Sequence, residues 1–207
     1  MRFDVVTLFP EMITAAASYG VTGRAIERKI VSLSVWNPRD YTTAKVIYLS
    51  PQGKPIKQAL LSEACNISQL ILVAGRYEGV DERFVEMDCD DEWSVGDYVI
   101  SGGELAALIV IDAVTRLLPG VLGDEESARQ DSHMNGLLDY PHFTRPEQLE
   151  GCSVPDILLS GNHADIDRWR LKQALGRTWQ RRPDLLNKKN LSAEQEYLLQ
   201  QFKSEVK

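Results

Sequence analysis

Short apolar runs separated by polar turns and helical spacings dominate the first half of the chain. Phe3–Leu8, Ile30–Trp36, Lys45–Leu49 and Gln69–Ala74 are rich in branched apolar residues, a pattern typical of buried parallel strands. Between the last two, Pro55–Cys65 has apolar residues at helical spacing. Strand, helix and strand within about thirty residues form a βαβ unit. The pattern therefore predicts an α/β fold with a parallel sheet.

A long apolar helix is predicted to follow. Ser101 and Glu104 have the spacing of a capping box, and apolar residues continue to about Leu118 on nearly every side. We therefore expect this helix to be deeply buried. From residue 123 to about 138 the sequence becomes polar, without the period of a packed element, which predicts a flexible linker.

The remaining residues are typical of a smaller helical module. Helices are predicted over Asp165–Trp179 and Ala193–Val206, the second with a capping box of Ser192 and Gln195. We predict an α/β domain over residues 1–122, a linker over 123–140 and a small all-α domain over 141–207.

Composition narrows the class of protein. The 207 residues are 43% hydrophobic and 26% charged, which excludes a disordered or fibrous chain. Cys65, Cys89 and Cys152 lie far apart, a pattern that favours a reducing cytoplasm over a disulfide framework or zinc site. The start of the chain resembles a strand rather than a signal peptide, and no apolar run is long enough to cross a bilayer.

The charge is unevenly distributed along the chain. The net charge is −7, yet residues 1–150 hold 13 basic against 23 acidic residues, while residues 151–207 hold 10 against 7. A basic C-terminal module favours contact with an anion such as a phosphate backbone. A solvated helix face is the alternative interpretation.

Three loops that contain glycine follow predicted strands. They are Tyr48–Gly53, Gly75–Gly79 and Trp93–Gly103, whereas the sequence contains neither GxGxxG after a strand nor a P-loop motif. Glycine allows a backbone to approach a ligand closely, so the loops could hold a nucleoside through main-chain groups. The alternative is that each loop is only a tight turn.

Six motifs place the chain beside a known family. YLSPQG, GRYEG, DEWSVGDYVISGGE, RLLPGVLG, GLLDYPHFTRP and LSGNHADIDRWR occur in this order. Together they closely resemble the bacterial tRNA (guanine-N1-)-methyltransferases, the TrmD family of knotted methyltransferases, which methylate the guanosine just 3′ of the anticodon. The resemblance extends from Met1 to the last helix.

The resemblance implies a fold and partners that periodicity does not reveal. Members of that family are α/β proteins with a trefoil knot, an exception to the rule against knots. They bind S-adenosylmethionine in the knot loops and work as homodimers with the active site at the subunit interface. The helical domain of the other subunit helps to hold the tRNA.

Carried over position by position, the resemblance also implies the site residues. The cofactor-binding residues would be Tyr48, Leu49, Ser50, Pro51, Gln52, Gly75, Tyr77, Glu78, Ser94, Val95, Gly96, Asp97, Tyr98, Val99, Ile100, Gly102 and Gly103. The family also suggests a magnesium ion, which Glu78 could help to hold; equally, Glu78 could bond the backbone of its own loop. Candidate tRNA contacts are Arg145, His163, Arg168 and Arg170.

The family's general base corresponds to Asp131 and its partner arginine to Arg116. Guanine N1 carries a proton, and a carboxylate within hydrogen-bond reach can remove it as the methyl group arrives. The negative charge that then moves towards O6 can be stabilised by a guanidinium. Without the resemblance, Asp131 would be a solvated loop residue and Arg116 a charge that complements a helix dipole.

The chain departs from the family at two places. Relatives have a few tens of residues, including a PYGGGPGM-like stretch, where Thr43 runs directly into Ala44, and His133 replaces a phenylalanine. The missing segment leaves the hypothesis of a non-catalytic RNA-binding protein that keeps the cofactor pocket. A knotted methyltransferase with another RNA target is a further alternative, against which the GNHADIDRWR helical domain and the Asp131 linker argue.

Overall fold

The computed structural model describes residues 1–7, 10–36, 44–122, 131–187 and 189–206. The chain divides into two compact units, Met1–Ala128 and Arg129–Lys207. None of the helices in the described residues is long and apolar enough to span a membrane.

The first unit is built on a parallel sheet of five strands. They are β1 (Arg2–Val6), β2 (Ser32–Trp36), β3 (Lys45–Pro55), β4 (Gln69–Ala74) and β5 (Asp91–Ser94), in the order β2-β1-β4-β3-β5. All four pairings are parallel. The α/β class and the parallel sheet predicted from the sequence are confirmed.

β3 differs from its prediction because it continues beyond Leu49. After an irregularity between Leu49 and Lys54, its last residues pair with Trp93 and Ser94 of β5. The loop predicted over Tyr48–Gly53 therefore lies inside a bulged strand.

In the described residues of this unit the helices are α1 (Pro10–Ala17), α2 (Gly20–Glu27), α3 (Gln58–Ala64), α4 (Glu82–Asp88) and α5 (Gly103–Thr115). Alternate residues of the strands, such as Phe3 and Leu72, share the main core with residues of α5 such as Val110. Their neighbours Val6, Ile71 and Val73 form a second cluster with Tyr48 and Phe84. Both sets of alternate strand residues are therefore buried, as a parallel sheet requires.

The capping box predicted at the start of α5 is wrong. The N-cap is Gly102, and Glu104 is buried rather than turned back to the helix end. Its Oε1 accepts hydrogen bonds from Thr7 Oγ1 at 2.9 Å and Arg76 Nε at 3.2 Å. A buried carboxylate needs such partners, and these lie too far along the chain for local sequence to predict.

α5 is also less buried than its apolar sequence predicts. Eight of its thirteen residues are buried, but Leu105 and Ile109 are 46% and 47% exposed. These two lie one helical turn apart and therefore share a face.

The second unit consists of helices and one short hairpin. Its helices are α6 (Asp156–Leu159), α7 (His163–Arg181), α8 (Pro183–Leu186) and α9 (Ala193–Glu205); β6 (Gln148–Leu149) and β7 (Cys152–Ser153) pair antiparallel. The core joins Leu137 to Leu175 and Leu198. The capping box of Ser192 and Gln195 on α9 is confirmed.

Part of the predicted linker lies within this unit. Residues 123–130 lie outside the described residues. Residues 131–138 form turns, and Leu137 is buried in the core of the second unit. The domain limits predicted from the sequence stay a prediction.

Candidate functional site

The three glycine loops meet around one cavity of the first unit, called here the loop cavity. Of the predicted cofactor-binding residues, all except the exposed Asp97 line it. Its volume is about 250 Å³, near the lower end of the roughly 300–1,000 Å³ usual for small-molecule sites. The structure thus brings together residues that are up to 55 positions apart, from Tyr48 to Gly103.

The sheet order explains why these loops meet. β3 lies between β4 and β5, so their carboxyl ends share one edge of the sheet, where ligands bind in open α/β folds. Gly103 N donates to Gly75 O at 2.9 Å, and Arg76 bridges to Gly102. The third loop is therefore held against the second by main-chain contacts.

Two glycines are required by close backbone approach. A Cβ on Gly103 would lie 2.7 Å from Ala74 Cα, and one on Gly53 would lie 2.5 Å from the carbonyl carbon of Glu92. Neither position has room for a larger residue without moving the backbone.

Buried hydroxyls shape the loops. Ser50 Oγ accepts from Gln52 N at 3.0 Å, and Ser94 Oγ accepts from Gly96 N at 3.2 Å. Burial raises the pKa of the Tyr48 hydroxyl, although a bond with the backbone of Val80 partly opposes this. Tyr48 is therefore neutral at physiological pH.

The lining is almost free of formal charge. Among the described residues that line the loop cavity, Arg76 and Glu78 carry the charges, and Arg76 is paired with Glu104 at 3.2 Å. With its serine hydroxyls and main-chain groups, the cavity can bind a polar, hydrogen-bonding ligand.

The sequence prediction missed five lining residues: Arg76, Gly79, Trp93, Ser101 and Ala106. The first two lie inside GRYEG, and Trp93 and Ser101 lie within the third loop, so the motifs themselves could have indicated them. Ala106 lies on α5, and no local signal distinguishes it.

The two candidate catalytic residues belong to different units. Arg116 is half-buried at the C-terminal end of α5 in the first unit. Asp131 lies in the second unit and lines another cavity of about 360 Å³, called here the α7 cavity. That cavity lies between residues 131–140 and α7, with Lys189 and Gln195 also in its wall.

The candidate tRNA contacts are spread over the second unit. Arg145 and His163 are exposed. Arg168 approaches Glu194 at 4.0 Å and lies over the ring of Tyr197. Arg168 and Arg170 are two positions apart on α7, so their side chains leave the helix in nearly opposite directions.

Arg170 is half-buried, and its side chain contacts neighbouring residues of the same unit. Its guanidinium carbon lies 4.9 Å from the centre of the Tyr140 ring, and Nη1 is 3.5 Å from Asp167 Oδ1. The structure therefore does not gather these arginines into one cluster.

No metal centre is found in the part of the chain that the structure describes: no three His, Cys, Asp or Glu residues lie close enough to hold an ion. Glu78, the candidate magnesium ligand, is exposed on its loop.

Comparison with known proteins identifies the family. The model of the tRNA (guanine-1)-methyltransferase TrmD family matches residues 1–46 and 42–188. The chain belongs to this family. The resemblance carried by the six motifs is thereby confirmed.

Curated relatives of the TrmD family match over almost their whole length. The chain is 54% identical to the tRNA (guanine-N(1)-)-methyltransferase of Methylococcus capsulatus strain Bath, over 99% of this chain and 97% of that protein. It is 50% identical to the enzymes of the same name from Pseudomonas fluorescens strain SBW25, over 98% and 96%, and Aeromonas hydrophila subsp. hydrophila, over 100% and 98%.

The comparisons also locate the shortened region. The alignment with the Methylococcus enzyme spans 243 positions, 36 more than the 207 residues of this chain. The family match breaks into two at residues 42–46, which agrees with the segment expected between Thr43 and Ala44. Thr43 lies outside the described residues.

Proposed function

We propose that this protein transfers the methyl group of S-adenosylmethionine to N1 of the guanosine just 3′ of the anticodon, position 37, in tRNA. The observation that carries the proposal is the loop cavity, in which the motifs shared with the family meet. Relatives named as tRNA (guanine-N(1)-)-methyltransferases align with nearly the whole chain, which supplies the reaction class.

The loop cavity is the proposed cofactor site. S-adenosylmethionine supplies a methyl group on a sulfonium, so its leaving group is built in and no covalent enzyme intermediate is required. Main-chain amides and carbonyls of the three loops would bind the adenine edge and ribose, and the low charge of the lining suits a nucleoside. The family resemblance suggests magnesium as a further proposed cofactor with Glu78 as one candidate ligand, although the described residues gather no complete ligand set for it.

Asp131 is the proposed general base and Arg116 the proposed charge stabiliser. The Asp131 carboxylate accepts the proton from guanine N1 as the N1–methyl bond forms and the sulfur–methyl bond breaks. Charge left on the guanine moves towards O6, where the Arg116 guanidinium stabilises it.

A trefoil knot is proposed for the loop region. Two contacts support it: Gly103 N bonds to Gly75 O at 2.9 Å, and the backbone at Gly53 packs against Glu92. The two ends of the third loop therefore lie close to segments that precede them in the chain. A knotted α/β domain over residues 1–122, a linker over 123–140 and an all-α domain over 141–207 complete the proposed organisation.

We further propose a cytoplasmic homodimer. Leu105 and Ile109 of α5 are each nearly half exposed, and Val99 of the third loop is 88% exposed. Apolar side chains beside a binding cavity favour cover by another protein surface. A second copy would place its helical unit, with Arg145, His163, Arg168 and Arg170, where it can hold the tRNA.

The decisive experiment measures transfer of labelled methyl groups to two tRNA transcripts that differ only in G or A immediately 3′ of the anticodon. Label on the G transcript alone is expected. Label on both, or at a ribose hydroxyl, would contradict the proposed site and favour another RNA target.

Asp131→Asn tests the proposed base. It should keep cofactor binding, measured by calorimetry, and lose methyl transfer, because the amide cannot accept the N1 proton. Full activity in Asp131→Asn would remove Asp131 from the mechanism.

A second candidate function is favoured by the shortened region near residues 42–46. The alignment with the Methylococcus enzyme is 36 positions longer than this chain, and a protein shortened in this way could retain cofactor and RNA binding without turnover. Binding of both ligands with no label on either transcript would identify this function.

A further inference from the structure

Asp131 belongs to a closed turn, residues 131–138, called here the Asp131 turn. Met134 N donates to Asp131 O at 3.3 Å, and Gly136 N donates to His133 O at the same distance. His133 N donates to Leu137 O at 2.7 Å. The main chain that carries Asp131 is therefore tied to the residues that follow it.

The Asp131 turn is fixed to the rest of the second unit at three points. Leu137 is buried against Leu175 and Leu198. Leu138 N donates to Thr178 Oγ1 at 2.8 Å, and Lys189 Nζ donates to Asn135 O at 2.5 Å. Two of these anchors come from residues 40 and 54 positions away in sequence.

Thr178 is the most specific of the anchors. It is completely buried on α7, where its hydroxyl donates to Ala174 O at 2.6 Å and accepts the Leu138 amide. An apolar side chain of the same shape would leave the Leu138 amide without its acceptor. The contact between the Asp131 turn and α7 would then be weaker.

The geometry points to Thr178 as a positioning residue for Asp131. By holding the Leu138 amide, Thr178 fixes the Asp131 turn on α7 and so sets where the carboxylate lies in the wall of the α7 cavity, which Leu138 and Ala174 also line. The inference rests on the proposed role of Asp131 as general base. Since a base must lie within hydrogen-bond reach of its proton, a small displacement of the turn lowers the rate of proton removal.

The test compares two substitutions at Thr178 with a matched control. Thr178→Val removes the hydroxyl and preserves the shape, whereas Thr178→Ser keeps the hydroxyl. The control is Thr115→Val, since Thr115 is also completely buried on a helix but, within the described residues, its Oγ1 has no hydrogen-bond partner.

Thr178→Val should lower kcat about tenfold, the loss that one hydrogen bond accounts for. KM for tRNA and for S-adenosylmethionine should stay within about twofold, because the surface charges and the loop cavity are untouched. Thr178→Ser should restore most of kcat, and Thr115→Val should behave as the unmodified protein. If Thr178 only stabilised the fold, Thr178→Val would lower the fraction of folded protein. The folded molecules would then keep the kcat of the unmodified protein.

Hydrogen exchange supplies a readout that needs no activity. In Thr178→Val the amides of residues 131–138 should exchange faster, while those of α9 keep their protection. Unchanged exchange in the Asp131 turn of Thr178→Val would overturn the inference. So would an unchanged kcat in Thr178→Val if Asp131→Asn abolishes activity. If Asp131→Asn remains active, the proposed function of Asp131 fails instead, and exchange alone decides whether Thr178 anchors the turn.

Discussion

Gly103 is the first residue of α5 and lies directly against the backbone of β4. The 2.7 Å separation between its ideal Cβ position and Ala74 Cα cannot be relieved by a side-chain rotation, because the backbone fixes the position of a Cβ and Ala74 Cα belongs to the main chain. This one residue therefore couples the start of α5 to the loop that follows β4.

Gly103→Ala should lower the free energy of unfolding by about 1–3 kcal/mol, as overpacking does, and weaken binding of S-adenosylmethionine, because the third loop must move away from the second. Chemical denaturation and calorimetry measure the two effects. Gly151→Ala is the control: its Cβ would meet open space in the β6–β7 hairpin at a positive φ, so only a stability cost of about 1 kcal/mol is expected. Cofactor affinity unchanged in Gly103→Ala would contradict the close-packing argument.

Cys89 illustrates how a local field controls reactivity. Burial, reinforced by the nearby charges of Asp88, Asp90 and Glu92, raises the pKa of its thiol to about 11. The thiolate is the reactive form of a cysteine, and the raised pKa keeps its population small at pH 8.

Alkylation by iodoacetamide at pH 8 should therefore label the exposed Cys152 well before Cys89. Labelling of Cys89 should accelerate as the pH approaches 11, since deprotonation then becomes extensive. Peptide mass spectrometry of the modified protein over this pH range measures both rates. Equal labelling of the two cysteines at pH 8 would show that burial and the nearby charges raise the pKa of Cys89 less than the structure indicates.

At the scale of elements, strands were easier to predict than their ends. Runs such as QLILVA identify β4 to the residue because burial of both sets of alternate side chains demands continuous apolar residues. The extension of β3 to Pro55 was missed because its polar end forms a strand only by pairing with β5. That pairing is a tertiary event and leaves no local pattern.

Two sequences with the spacing of a capping box behave differently, since only the one at Ser192 forms the box, and this gives a matched test. Ser192 Oγ accepts from Gln195 N at 3.2 Å and caps α9, whereas Ser101 precedes the N-cap of α5. Ser192→Ala should cost about 1 kcal/mol of stability, and Ser101→Ala should cost almost none. Thermal denaturation of the two variants measures the difference, and an equal loss would contradict the assignment of Gly102 as N-cap.

At the scale of the whole molecule, the residues of the loop cavity were predictable as a set because long motifs carry them. Their convergence was not, since it depends on a sheet order that places β3 beside both β4 and β5. The surroundings of Asp131 were also hidden. A polar stretch without period predicts a linker, yet Leu137 is buried in the helical core of the second unit and helps to hold the turn there.

The two units have separate hydrophobic cores, so a ligand of one need not protect the other. S-adenosylmethionine at about 100 times its Kd should stabilise the first unit by about 2.7 kcal/mol. Hydrogen exchange should slow in the three loops while α7 keeps its rate. The Gly103→Ala variant serves as the control, with little protection expected at the same concentration. Protection of α7 by the cofactor without tRNA would show that the units are coupled.

The sheet order has a consequence for folding during synthesis on the ribosome. β1 is made first, but one of its partners, β4, begins at Gln69, and α5, which covers the main core, ends at Thr115. β1 can pair with β2 early, but its second partner is complete only at Ala74, and the core is covered only after more than half of the chain has been made. Non-local strand pairing of this kind is slow, and the strand edges that stay unpaired meanwhile promote aggregation. The helical unit is made last, so the α/β unit, which is translated first and stays uncovered longest, is the part that most needs protection by chaperones.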